Sequence, residues 1–170
     1  MPDTAPKGGS VSTIQRPNLQ FSILCLNLIE EGGPPTLQYL FYELPLPKLP
    51  YKVDRFFIVN CWINGRGQFR QSVRILDPST TRKLVDTGDQ SLVLEDLSTP
   101  QLMINQIMDL PVAEPGPHWV QVYLDGELAL QYPLTIRLAV PAKKLPGVPV
   151  ELQLPESDPH ITRFSPRILS

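Results

Sequence analysis

Apolar residues recur at every second position through most of the chain from Asn18 onward, the period of strands with one face turned to a core. In the first such stretch Leu19, Phe21, Ile23 and Cys25 share a face opposite Gln20 and Ser22. Leu24, Leu26 and Leu28 then make the other face apolar too, which predicts a strand that ends buried on both sides. Beyond the break Glu30-Glu31-Gly32-Gly33-Pro34-Pro35, Leu37, Tyr39 and Phe41 alternate with Gln38 in a short second strand. The most apolar run, Arg55 to Ile63, is rich in aromatic and β-branched residues and predicts a central strand. Its return strand places Phe69, Val73 and Ile75 inward and Arg70, Ser72 and Arg74 outward. Weaker strands follow around Lys83–Val85 and Leu92–Leu94. Gln101 to Leu110 reads as strand by context, with Leu102, Ile104, Met108 and Leu110 on one face. Trp119 to Leu124 is another strand, and Leu128, Leu130, Tyr132, Leu134, Ile136 and Leu138 then alternate without a miss. Ile58, Val73, Val122, Leu134 and Ile136 are the expected core.

Turn chemistry fits between these segments. Asn64-Gly65 and Asp125-Gly126 carry the residues that tight hairpins need, and Asp77-Pro78-Ser79-Thr80 suits a type I turn. The segment Leu44-Pro45-Leu46-Pro47-Lys48-Leu49-Pro50 lacks three backbone donors, so it is expected along an edge or across an end. About eight short strands joined by turns predict an all-β fold, a two-sheet antiparallel β-sandwich of immunoglobulin-like or C2-like topology.

Composition sharpens the domain boundaries. Twenty prolines in 170 residues argue against long helices. Residues 1–17 have no period and read as a flexible N-terminal segment, 18–139 as the β-sandwich domain, and 140–170 as an extended Pro-rich C-terminal arm. In that arm Val148, Val150, Leu152 and Leu154 alternate with other residues, so an extended arm that docks on its own sandwich or on a second copy is expected. A formal charge of −2 gives no reason to expect nucleic acid or an anionic membrane surface as partner. No secretory h-region and no apolar run of the roughly 20 residues that span a bilayer is visible. Cys25 and Cys61 lie inside apolar strands, which predicts buried free thiols and a cytoplasmic location.

Candidate chemistry is sparse. His118 and His160 are the side chains able to act as bases near neutral pH, His118 at a strand start with an edge or solvent-facing position expected, His160 in the arm. Asp86, Asp89, Glu95 and Asp96, with Asp77, could form acidic loops of a C2-like calcium site, but turn chemistry accounts for aspartates there equally well. Gly65-Arg66-Gly67 is a turn tip without phosphate-loop spacing, and Arg70 and Arg74 suit a solvated sheet face. No catalytic, cofactor-binding or metal-ligating residue is assigned, and no cofactor is expected. The aromatics Phe56, Phe57, Trp62, Trp119 and Tyr123 read as core, and any that share an outer face would mark a partner surface.

Three phrases carry a resemblance: Cys61-Trp62-Ile63-Asn64, Phe69-Arg70-Gln71-Ser72-Val73-Arg74-Ile75-Leu76-Asp77-Pro78, and Trp119-Val120-Gln121-Val122-Tyr123-Leu124-Asp125-Gly126-Glu127. The stretch Phe56 to Leu138 resembles small, uncharacterised bacterial β-sandwich proteins, a group that implies a fold but no functional residue. Cys61 beside Trp62 departs from the immunoglobulin pattern. The expected function is a non-enzymatic binding or structural module acting through protein–protein contacts, with a second copy as partner. The alternatives are a small hydrolase or sugar-modifying β-protein with a site assembled from distant residues, and a C2-like calcium or lipid module.

Overall fold

The computed structural model describes residues 13–140, and among them every regular element is a strand. The expected all-β class therefore holds, with ten strands instead of eight. These are β1 (Asn18–Ile29), β2 (Thr36–Phe41), β3 (Glu43–Leu46), β4 (Tyr51–Ile63), β5 (Gly67–Leu76), β6 (Lys83–Asp86), β7 (Gln90–Leu94), β8 (Gln101–Val112), β9 (Gly116–Leu124) and β10 (Glu127–Leu138). They form a four-stranded sheet, β2-β1-β4-β8, and a six-stranded sheet, β3-β10-β9-β5-β6, in which β7 also pairs with β5. One apolar cluster draws buried side chains from both sheets, Phe56, Ile58 and Trp62 from one and Val73, Val122 and Leu134 from the other. The expected core residues Ile58, Val73, Val122, Leu134 and Ile136 are all buried.

The proline-rich segment after β2 crosses from one sheet to the other. Its first part, β3, pairs parallel to β10 at the sheet edge, Leu44 opposite Ile136 and Leu46 opposite Leu138. An edge tolerates Pro45 because a missing donor there breaks no ladder on the outer side. The Asp125-Gly126 hairpin joins β9 to β10, both residues at positive φ. The Asp77 turn joins β5 to β6, the Thr80 amide donating to the Asp77 carbonyl at 3.0 Å.

Several local expectations change. Asn64-Gly65 makes no hairpin: β4 and β5 belong to different sheets, and the turn is an arch between them. Gly65 is required there by close approach, since a Cβ at that position would lie 2.5 Å from the Cβ of Pro17. The stretch before β1, expected to be flexible, is tied down in its described part. Gln15 and Arg66 exchange two backbone hydrogen bonds of 2.9 Å, and Pro17 is buried.

Two irregularities also shift strand phase. A bulge at Gln20 puts Leu19 opposite Trp62 and Phe21 opposite Cys61, so Leu19 packs on the core and Phe21 lies on the outer face. In β8, Asp109 takes φ +54, and Leu110 and Val112 turn inward while Met108 stays exposed. Leu110 thus does not share the face of Leu102, Ile104 and Met108. In β10 the register slips between Leu128 and Leu130, and both are exposed where, among the described residues, no strand flanks β10 on its open side. The expected C-terminal arm, 140–170, lies outside the described residues except for Val140.

Candidate interaction surface

β4 alternates strictly through its second half. Phe56, Ile58, Asn60 and Trp62 point between the sheets, which leaves Phe57, Val59 and Cys61 on the outer face of the four-stranded sheet. The register places Val59 between Ile23 of β1 and Ile104 of β8, and Cys61 between Phe21 and Leu102. Cys25 sits between Phe57 and Leu40. The result is a contiguous face, apolar across all four strands and without a charged side chain at any of these positions. Cys25, Val59 and Cys61 are buried yet lie outside the cluster between the sheets, shielded by larger neighbours on their own face. Burial pushes both thiols up in pKa, so they stay neutral and apolar near neutral pH. At the margins Leu40 and Met108 are exposed, and the Arg55 guanidinium lies 5.7 Å from the Phe57 ring centre.

Of the expected core aromatics, Phe56 and Trp62 are buried, whereas Phe57, Trp119 and Tyr123 lie half-buried on outer faces. On the six-stranded sheet the Arg74 guanidinium stacks 4.4 Å from the Tyr123 ring centre and lies 3.3 Å from an Asp86 oxygen. The Tyr123 hydroxyl donates to Gln121, whose amide donates to Gln131. That face is polar and internally paired, as a solvated sheet face should be.

His118 is not at the surface. It is 1% exposed beside Leu134, because the strand phase that buries Val120 and Val122 carries position 118 inward as well. Burial lowers its pKa, and the Gly116 carbonyl, 3.2 Å from Nδ1, opposes that shift together with the charges of Glu114 and Asp77. His160 lies outside the described residues.

Of the five acidic candidates, Asp77, Asp86 and Asp96 are engaged by their own loops. Asp77 Oδ1 accepts from the amides of Thr81 and Arg82. Asp96 accepts four hydrogen bonds from Ser98 and Thr99, and those from the Ser98 and Thr99 hydroxyls lead in holding its pKa down at about 2. Asp86 meets Lys83, Arg74 and the Gly88 amide. Asp89 lies 3.9 Å from Arg70. Among the described residues no three His, Cys, Asp or Glu side chains converge on one point.

A buried amide cluster lies between the two sheets. Gln71 Oε1 accepts from Asn60 Nδ2 and from Trp62 Nε1, both at 2.8 Å. Gln71 Nε2 donates to Asn105 Oδ1 and Gln90 Oε1 at 3.2 Å, and Asn105 Nδ2 donates to the Ile58 carbonyl at 2.8 Å. The indole can only donate and the carbonyl can only accept, so the two ends fix the direction of every amide between them. Gln71 was legible in the sequence as a polar residue on the inward face of Phe69, Val73 and Ile75, whereas the inward positions of Asn60 and Asn105 follow only from the pairing of β4 and β8.

A family model described as a family of unknown function, DUF6941, matches residues 20–137. The chain belongs to that family. The DUF6941 span starts at the third residue of β1 and ends one residue before the end of β10, so it covers both sheets. No curated protein matches the sequence. Among solved structures, the chain is similar to the Pseudomonas fluorescens alkylpurine DNA glycosylase AlkC bound to DNA containing an abasic site analog, at 15% identity and a TM-score of 0.38. That likeness covers 56% of this chain and 28% of the glycosylase, and at such a score it carries no argument about function.

Proposed function

We propose that this DUF6941 chain is a non-enzymatic interaction module of a bacterial cytoplasm, and that the outer face of its four-stranded sheet binds a second copy of the chain. One observation carries the reading. Phe21, Ile23, Phe57, Leu102 and Ile104 form an apolar face with the Arg55 guanidinium over Phe57 at its margin, and contiguous apolar faces mark protein contacts. The five apolar side chains carry no charge of their own to repel a second copy, and a two-fold pair buries the same patch twice. Two free buried cysteines suit a reducing compartment.

Sedimentation velocity on the full chain tests it. The wild type is expected at twice the chain mass at micromolar concentration. The Ile23→Glu and Ile104→Glu variants are expected at the monomer mass with a β-type circular dichroism spectrum intact. A wild type that stays monomeric at every concentration, or a dimer indifferent to both substitutions, overturns the proposal.

A further inference from the structure

At one end of the sandwich the start of β4 and the end of β8 face the start of β6 across a groove of about 500 Å³. Tyr51, Leu84 and Val112 give it an apolar lining, and Lys52, Arg82 and Lys83 contribute three cations. The volume falls within the range of roughly 300 to 1,000 Å³ usual for binding sites. Two of the cations, Lys52 and Arg82, are only loosely engaged. Lys52 meets Asp109 at 3.4 Å with both side chains nearly two-thirds exposed, an arrangement that contributes little and exchanges readily. Lys83 is held by Asp86, and Arg82 makes no ion pair among the described residues.

The walls of this groove are edge strands. β6 ends the six-stranded sheet and β8 ends the four-stranded sheet, so each has one side without a strand partner among the described residues. Unpaired backbone donors and acceptors beside an apolar floor favour an extended peptide over a compact ligand, because a peptide can pair with the edge while its side chains fill the floor. The sign of the rim selects its composition. We infer that the groove between β6 and β8 docks an extended segment of a partner protein in which acidic residues alternate with apolar ones. Such a segment would add a strand to β6, seat its apolar side chains against Tyr51, Leu84 and Pro111, and meet Arg82, Lys83 and Lys52 with its carboxylates. This surface is separate from the apolar face of the four-stranded sheet, so the two proposals stand or fall apart.

Fluorescence anisotropy with a labelled octapeptide alternating glutamate with valine or leucine tests it on the full-length chain. Saturable binding that weakens with added salt is expected, since exposed charge pairs are screened. The double variant Lys52→Glu and Arg82→Glu should weaken binding on the order of tenfold, two exposed pairs being lost and replaced by repulsion. Its thermal melting should remain close to wild type. Methylating alternate backbone nitrogens of the peptide should abolish binding, because strand addition needs those donors. The inference is overturned by an octapeptide that does not bind, by a lysine-for-glutamate peptide that binds equally well, or by an N-methylated peptide that retains affinity. Displacement of bound octapeptide by dodecanoate with affinity unchanged in the double variant also overturns it, in favour of a purely apolar site.

Discussion

His118 shows how a strand's phase decides the chemistry of a single residue. Between Pro117 and Trp119 it has no local feature that buries it, yet its position two residues before Val120 carries it into the core. Burial disfavours the imidazolium, so the folded pKa lies below the ordinary value of about 6.5. The unfolded chain therefore binds the proton more readily than the folded one. Stability from this group is complete above about pH 6.5 and is lost as the pH falls toward the depressed folded value. Asp77 acts in a separate, more acidic window, because its own lowered carboxylate pKa costs stability only as the pH falls through the carboxylate range. Urea unfolding at about pH 7.5 and about pH 5 should show a clear drop for wild type and a smaller one for His118→Gln. Equal stability of the wild type at the two values would refute the assignment.

Among the elements, the arch between β4 and β5 couples the described N-terminal residues to the sandwich. Gly65 leaves room for Pro17, and the Gln15–Arg66 bridge continues the contact on the neighbouring residue. A methyl group at position 65 meets the Cβ of Pro17 at 2.5 Å and its Cα at 2.9 Å, backbone as well as ring, so a side-chain rotation does not relieve it. Gly65→Ala is expected to lift residues 13–17 off the arch and to cost about 1 to 3 kcal/mol, the usual range for overpacking. Hydrogen exchange should then speed up at the Gln15 and Arg66 amides while the amides of β9 keep their protection. Unchanged exchange at those two amides would mean that Pro17 adjusts without cost.

At the scale of the whole molecule, the amide cluster around Gln71 joins the two sheets through directed bonds inside an otherwise apolar core. The hydroxyls of Ser22 and Tyr132 make a second link at 2.9 Å, and burial pushes the Tyr132 pKa up to about 12. Replacing Gln71 by Leu would leave the Trp62 indole and the Asn60 amide N–H without their acceptor and the Asn105 Oδ1 without its donor. Each orphaned buried group costs about 1 to 3 kcal/mol, so a total loss on the order of 3 kcal/mol is expected after partial relaxation. Denaturant midpoints measure this directly, and a loss under about 0.5 kcal/mol would show the cluster to be dispensable for stability.

The strands themselves were legible in the sequence because a period of two is a local property. It survives wherever each strand has a dry side, which is why Val73, Val122, Leu134 and Ile136 were placed correctly. Edge status of the Leu44–Pro50 segment was legible for the same reason, since proline's missing donor is a fact of the residue. What alternation cannot say is which sheet covers which face. Phe57, Val59 and Cys61 have the same character as Phe56, Ile58 and Trp62, and only the pairing of β4 between β1 and β8 turned one set to the core and left the other as an outer apolar face. The Asn64-Gly65 arch, the groove beside β6 and the convergence of Asn60, Gln71 and Asn105 depend likewise on residues far apart in the chain. Local sequence determined the strands and most turns here. Tertiary structure decided the partners of each strand, because pairing is a competition among distant segments that no single segment encodes.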